Sequence, residues 1–464
     1  MYRFYLNGIT NEYHLEELAR EFLLNKDFEM IPVSFRAGTD LALTDKRYLL
    51  NRDCKDDQDG MKRELYHILS QETGIYPEWG TLTGVRPLKL AFQHYEATQD
   101  VTEVFRRMKE TYLLSDAKAA LLRQILEYQL ETMPRPSAES VSLYVHIPFC
   151  PTRCSYCSFA TNVAAESEIA AYLNLLLQEI RYTGERFRAH GQKVESVYVG
   201  GGTPTTLNEA QLTQLIECLR DSFGLSLDGM EFTIEAGRPD TITKAKLRAL
   251  RDAGVDRISI NPQSMKQETL DRIGRSHRPE DIVRAFSDAA EVGFRTVNSD
   301  VIAGLPGETP ADFAETLRAL EALGANNITV HTLSVKRGSE LRNQDPEYYR
   351  RNTEAVREML DFSEKFLGDC GFLPYYIYRQ KHQMGSFENV GYCKPGAHSI
   401  YNVRIMEEKQ TIIGMGAGAI GKRYFPAEDR LERIPNVGNY RIYEERFDEM
   451  LLRKNNYWGG RDGD

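Results

Sequence analysis

Three cysteines within eight residues, Cys150, Cys154 and Cys157, are the part of this 464-residue chain best equipped for chemistry. They end the run Tyr144-Val145-His146-Ile147-Pro148-Phe149-Cys150-Pro151-Thr152-Arg153-Cys154-Ser155-Tyr156-Cys157. Pro148 and Pro151 resist a regular helix, so the thiols sit on a loop. A loop can wrap a compact inorganic core and aim three sulfurs inward. Three thiolates hold three irons of a four-iron cluster and leave the fourth iron an open coordination position, whereas electron-transfer clusters are closed by four cysteines. Two plainer readings stay open. One is structural zinc with His146 as fourth ligand, although zinc ligands usually come as two separated pairs. The other is three free buried thiols. Cys54, Cys218, Cys370 and Cys393 are scattered and expected not to ligate. Cys218 falls in a helical pattern and reads as a small buried apolar residue.

The surrounding pattern must position that loop. Apolar, β-rich runs at 142–147, 194–199, 231–235, 257–260, 296–302 and 328–333 alternate with helical patterns at 166–187, 209–223, 244–253, 279–292 and 310–323. Strands alternating with helices imply an α/β fold with a parallel sheet and right-handed crossovers. Six strands fall short of the eight of a closed barrel, so a partial (β/α)6 barrel is expected; a doubly wound sheet fits the pattern as well. The cysteine loop follows the first of these strands, and Gly200-Gly201-Gly202-Thr203-Pro204 follows the second. Glu235 ends the third, and Gln263, Arg275 and Asp300 stand at or after later strand ends. Barrels place ligands on that face. Carboxylates there accept from hydroxyl or ammonium groups, and Arg275 can pair with a carboxylate.

Residues 1–133 read as an N-terminal α/β module with strands at 2–7 and 30–36 and helices at 14–24, 62–71 and 101–133. Pro134 and Pro136 mark a linker. Residues 134–338 form the barrel domain with the cluster, and 339–464 a C-terminal α+β lobe that covers the active site. In that lobe a helix is expected at 349–366 and strands at 373–378, 401–405 and 411–413. The glycine-rich run 415–422 lacks phosphate-loop spacing and reads as close packing.

The formal charge of -10 gives no global field for holding nucleic acid. No apolar run approaches the roughly 18 residues of a membrane helix. The N-terminus lacks a signal-peptide pattern, and seven cysteines in such a chain do not read as a disulfide framework. A cytoplasmic protein is expected.

The Cys-x-x-x-Cys-x-x-Cys spacing after the first strand resembles the signature of the radical S-adenosylmethionine (SAM) superfamily. Tyr-x-His-Ile-Pro-Phe-Cys and Cys-x-Tyr-Cys-x-Phe narrow the resemblance, over about 141–421, to the oxygen-independent coproporphyrinogen III oxidases. Gly84-Val85-Arg86-Pro87 and Glu388-Asn389-Val390-Gly391-Tyr392-Cys393-Lys394-Pro395-Gly396 resemble the coproporphyrinogen dehydrogenase subgroup of the HemZ type. The resemblance implies a [4Fe–4S] cluster on Cys150, Cys154 and Cys157. It implies a SAM pocket of Tyr144, Tyr156, Gly201, Gly202, Thr203, Glu235, Gln263, Arg275 and Asp300. It further implies reductive cleavage of SAM and oxidation of coproporphyrinogen III propionates to vinyl groups. Its partners would be a tetrapyrrole and a flavodoxin- or ferredoxin-like electron donor, and the chain a monomer. No single residue is assigned as catalytic.

Phe159 stands where the family's oxidases carry a fourth cysteine. Related haem chaperones also have Phe there, but their His-Asn-x-x-Tyr-Trp motif is absent here. Chaperone and tetrapyrrole methyltransferase are therefore the alternatives. Coproporphyrinogen carries four propionates, and Arg379, Lys381 or Lys394 is expected to meet one of them.

Overall fold

The computed structural model describes residues 1–9, 12–24, 26–33, 46–51, 58–84, 86–159, 161–226, 229–336, 338–345, 348, 352–381 and 383–459. It divides into two compact units. One comprises Met1–Glu127 with Ile377–Lys381 and Gly385–Phe387, and the other comprises Tyr128–Tyr376, His382–Met384 and Glu388–Asp464.

In the first unit, strands β1 (Tyr2–Asn7), β2 (Phe28–Val33) and β3 (Arg47–Asn51) form a parallel sheet in the order β2-β1-β3. Phe4 and Leu6 alternate inward from β1 onto Leu15, Leu18, Leu65 and Leu69 of two helices. Two elements were not legible beforehand: β3 and the helix Pro87–Thr98, which starts on a proline. The helix at 14–24 is shorter, Tyr13–Ala19. The one at 101–133 is two helices, Val101–Tyr112 and Asp116–Thr132, because Leu113 takes a left-handed φ of 56° and caps the first. Cys54 and the strand positions 34–36 lie outside the described residues.

In the second unit the six anticipated strands are β4 (Ser140–Ile147), β5 (Lys193–Gly201), β6 (Glu231–Glu235), β7 (Arg257–Ser259), β8 (Thr296–Ala303) and β9 (Asn327–Thr332). All five neighbour pairs are parallel, and the spatial order follows the chain order. That order is the wall of an α/β barrel; a doubly wound sheet reverses direction beside its first strand. The wall is extended at both edges. β10 (Leu373–Arg379) and β11 (Glu388–Cys393) lie beyond β9, with β11 antiparallel to it. β12 (Thr411–Met415) runs parallel to β4, and β13 (Ile420–Phe425) and β14 (Arg430–Pro435) continue antiparallel.

The helices bury one stripe each. Glu166–Ala189 turns Ile169, Tyr172, Leu173, Leu176 and Ile180 inward at helical spacing. Asn208 starts Glu209–Phe223 by accepting from Gln211 N at 2.9 Å. The expected strand at 401–405 is instead the helix Ile400–Glu407. Its composition is β-rich, but Ser399 caps it, and the buried Glu231 carboxylate accepts from Ile400 N (2.6 Å) and Tyr401 N (3.0 Å). A tertiary anion at the helix N-terminus overrides local propensity.

Candidate active site

The cysteine loop leaves β4 and is pinned on every side. Cys150 N donates to Asn162 O and Asn162 N to Pro148 O, both at 2.9 Å, which closes the loop on itself. Ser155 N donates to Ile273 O at 3.0 Å, Leu341 N to Ser155 O at 3.0 Å, and Arg153 to Gly338 O at 2.7 Å. Each thiol has a donor. Thr203 Oγ1 donates to Cys150 Sγ at 3.4 Å, Arg238 Nη1 to Cys154 Sγ at 3.6 Å, and the Phe159 backbone to Cys157. Burial leaves the Cys150 and Cys157 thiols above their ordinary value, and these donors offset part of that rise. Such donors favour thiolates, which is what iron takes.

Among the described residues, no three His, Cys, Asp or Glu side chains are grouped as ligands of a single metal ion. A four-iron cluster makes a different demand, one thiolate per iron. His146 does not turn to the thiols as a fourth zinc ligand. Its Nδ1 is bonded to the Ala417 carbonyl, and its ring packs against Gly201 and Gly418. Burial lowers its pKa and keeps it neutral. The glycine-rich run is thus the turn from β12 to β13, with Gly416 (φ 93°) and Gly418 (φ 86°) wrapped around His146.

The other anticipated residues gather at the C-terminal strand ends. Gly202 N donates to Ile147 O at 2.8 Å and Thr203 N to Phe149 O at 2.7 Å, so the glycine turn lies along the cysteine loop. A Cβ on Gly201 would stand 2.1 Å from the His146 ring, and one on Gly202 would stand 2.4 Å from Phe149 O. The chain itself occupies the space these glycines free. Glu235 accepts from Tyr198 OH and, at 3.2 Å, from Gly201 N. Burial, with the Asp300 charge added, pushes its carboxyl up to about 7 against these bonds. Asp300 accepts from Asn261 and Asn298, each at 2.9 Å. Burial raises its carboxyl, but His331, Asn298 and Thr329 outweigh it and hold the group below its ordinary value. Arg275 donates to Gly237 O (3.0 Å), Asn261 O (3.4 Å) and Tyr156 OH (3.2 Å), tying the cysteine loop to the loops after β6 and β7.

Gln263 holds a left-handed φ of 67°. That conformation costs a non-glycine residue roughly 1–2 kcal/mol, and here, unlike at Leu113, it caps no helix. Gln263 Oε1 is buried without a hydrogen-bond partner among the described residues, as are Asn298 Oδ1, Arg275 Nε and Thr233 Oγ1. Buried polar atoms are normally paired. A ligand with ammonium, carboxylate and ribose hydroxyl groups fits this set of donors and acceptors.

Several neighbours were missed from the sequence: Tyr198, Arg238, Asn261, Asn298, His331 and Tyr401. Strand alternation offered a signal for some, since Tyr198 pairs with Tyr144 across β4 and β5 and Asn298 lies two residues from Asp300. Tyr401 offered none. Its ring stacks on Tyr198 at 4.5 Å and on Tyr144 at 6.0 Å.

The three cations offered for a propionate are committed elsewhere. Arg379 is buried in the first unit, ion-paired to Glu21 at 3.1 Å, and Lys381 pairs with Glu17 at 3.0 Å. Lys394 pairs with Glu321 at 3.6 Å and donates to the Cys370 carbonyl. Cys393 is fully buried and Cys218 buried, both away from the triplet's bonds. Tyr128 OH lies 3.5 Å from Cys393 Sγ, and Cys218 Sγ lies 3.6 Å from Leu177 O.

Residues 144–320 match the model of the radical SAM superfamily. The chain is 39% identical over 395 residues to the oxygen-independent coproporphyrinogen-III oxidase-like protein HemZ of Bacillus subtilis (strain 168), covering 84% of this chain and 79% of that one. It is 31% identical over 283 residues to the heme chaperone HemW of the same bacterium, covering 60% and 70%. The solved coproporphyrinogen III oxidase HemN of Escherichia coli, a radical SAM enzyme, superposes with a TM-score of 0.54 at 27% identity, covering 72% of this chain and 73% of that one.

Proposed function

The chain belongs to the radical SAM superfamily and, within it, to the oxygen-independent coproporphyrinogen III oxidase family, and on that premise we propose that it oxidatively decarboxylates coproporphyrinogen III propionates to vinyl groups. The superfamily's cofactors are a [4Fe–4S] cluster and SAM. In this reading Cys150, Cys154 and Cys157 hold the cluster. Glu235, Gln263, Arg275 and Asp300 hold SAM, bordered by Tyr144, Tyr156, Gly201, Gly202 and Thr203. When bound, the pair supplies one-electron chemistry that yields a carbon radical able to take hydrogen from a propionate side chain.

The chain's own residues bind, orient and exclude water. Asp300, whose carboxyl His331, Asn298 and Thr329 hold low, accepts from ribose hydroxyls. The unpaired Nε of Arg275 and Oε1 of Gln263 receive the remaining polar groups. The stacked Tyr144, Tyr198 and Tyr401 form a dry wall, which a radical that attacks most C–H bonds requires. Residues 339–464 cover the site, a reading supported by the Leu341 contact to the cysteine loop and the Tyr401 ring on Tyr144. One electron comes from a flavodoxin- or ferredoxin-like donor, the electron released with CO₂ from the propionate passes to a one-electron acceptor, and the protein acts as a monomer.

The observation that carries this reading is the pair of buried atoms without a partner among the described residues, Arg275 Nε and Gln263 Oε1, on the strand-end loops that Arg275 ties to the cysteine loop. The test is anaerobic incubation of reconstituted protein with coproporphyrinogen III, SAM and reductant. Protoporphyrinogen IX and CO₂ are expected. A second reading, a haem-handling chaperone, is favoured by Phe159 and by the similarity to HemW. Stoichiometric haem binding without SAM turnover would select it.

A further inference from the structure

We propose that Arg238 is a positioning residue for the cluster, setting its reduction potential through the ligand Cys154. The inference rests on the cluster reading and is independent of the substrate. Arg238 is 3% exposed. Its Nη1 donates to Cys154 Sγ at 3.6 Å and to the Thr152 carbonyl at 3.3 Å. Its Nη2 donates to Thr152 Oγ1 at 2.7 Å and to Ser276 Oγ at 3.1 Å. Two further bonds of 3.2 Å, from Nε and Nη2, go to the Asp240 carboxylate, to which Ser276 also donates at 2.7 Å. The guanidinium is thus fixed by every nitrogen, with one N–H aimed at a cluster sulfur.

Arg275 is another guanidinium near the thiols, but its bonds go to two carbonyls and to Tyr156. Among the described residues, Arg238 is the charged side chain whose hydrogen bond reaches a cysteine of the triplet. A guanidinium does not deprotonate in proteins, so the charge is permanent. Reduction adds one electron, and therefore one negative charge, to the cluster and its thiolates. A buried cation bonded to a ligand sulfur stabilises the reduced form more than the oxidised one and raises the potential. Asp240 opposes this by neutralising part of the cation. The two residues therefore act with opposite signs.

The test is a dithionite titration of the full-length, anaerobically reconstituted protein, with mediators, followed by electron paramagnetic resonance and without tetrapyrrole. Arg238→Gln should make reduction about tenfold less favourable, which is ~59 mV for one electron. Asp240→Asn should shift the midpoint the other way. A merely structural lesion would move both variants in one direction. Where Arg238→Gln fails to retain iron, Asp240→Asn decides. An unchanged midpoint in Asp240→Asn, a downward shift in both variants, or an iron-replete Arg238→Gln equal to wild type would overturn the proposal. Wild-type protein that takes up no iron would overturn the cluster reading itself.

Discussion

Replacing Glu235 by Gln should stabilise the SAM-free protein at alkaline pH while weakening its hold on SAM. Glu235 is half-buried, and its carboxyl moves from an ordinary value of 4.5 to about 7, chiefly because loss of water around it disfavours the charge. A group whose folded value is raised contributes stability that is fully present below the unfolded value. That contribution is lost as pH rises through the folded one. The loss therefore falls between pH 4.5 and about 7 and amounts to roughly 3 kcal/mol. The glutamine oxygen can still accept from Tyr198 OH, while one of the two bonds is weakened, at about 1 kcal/mol. The net gain is about 2 kcal/mol at pH 8, and it reverses to a deficit of about 1 kcal/mol below pH 4.5, where the Glu235 loss is gone and only the weakened bond remains. The assay is urea denaturation of both proteins across that range. The difference between the two curves isolates Glu235 from Glu21 and Glu308, whose carboxyls are also pushed up by burial. Parallel curves, or a less stable variant at pH 8, would refute the reasoning. A site built to bind a ligand carries a charge that the empty fold would be more stable without.

Alanine at Cys150, Cys154 or Cys157 should each remove most of about four irons per chain, as measured by iron content and visible absorption; one zinc per chain in wild type would contradict the cluster. Arg275→Ala and Asp300→Ala should keep the iron and weaken SAM binding ten- to a hundredfold, from the roughly 1.5–3 kcal/mol of a charged hydrogen bond; equilibrium binding checks this. Lys454 and Glu179 are both fully buried and pair at 2.8 Å, and the same carboxylate accepts from Gly416 N in the turn around His146. Lys454→Met should cost about 3–5 kcal/mol in denaturation, and adding Glu179→Leu should recover part of it, because the harm lies in the charge left unpaired.

Much of the site was legible because its signals are local. The triplet needs only eight consecutive residues and two prolines to be read as a metal loop. Strand and helix periods located β4 to β9 and their crossovers, and strand ends then located Glu235 and Asp300. What periodicity left open was the sheet: chain order and spatial order coincide here, and that excluded the doubly wound alternative. The segment 400–407 shows where local reading fails. Its residues favour a strand, and a carboxylate from β6 makes it a helix. The partners of Arg379, Lys381 and Lys394 were equally illegible, since a cation takes whichever carboxylate the fold brings near. The same holds for Arg238, whose bond to Cys154 spans the gap between two strand ends. Composition and spacing determine which groups a segment offers and which face they leave from. Which group meets which is a matter of ångströms through space, and only the packed sheet decides it.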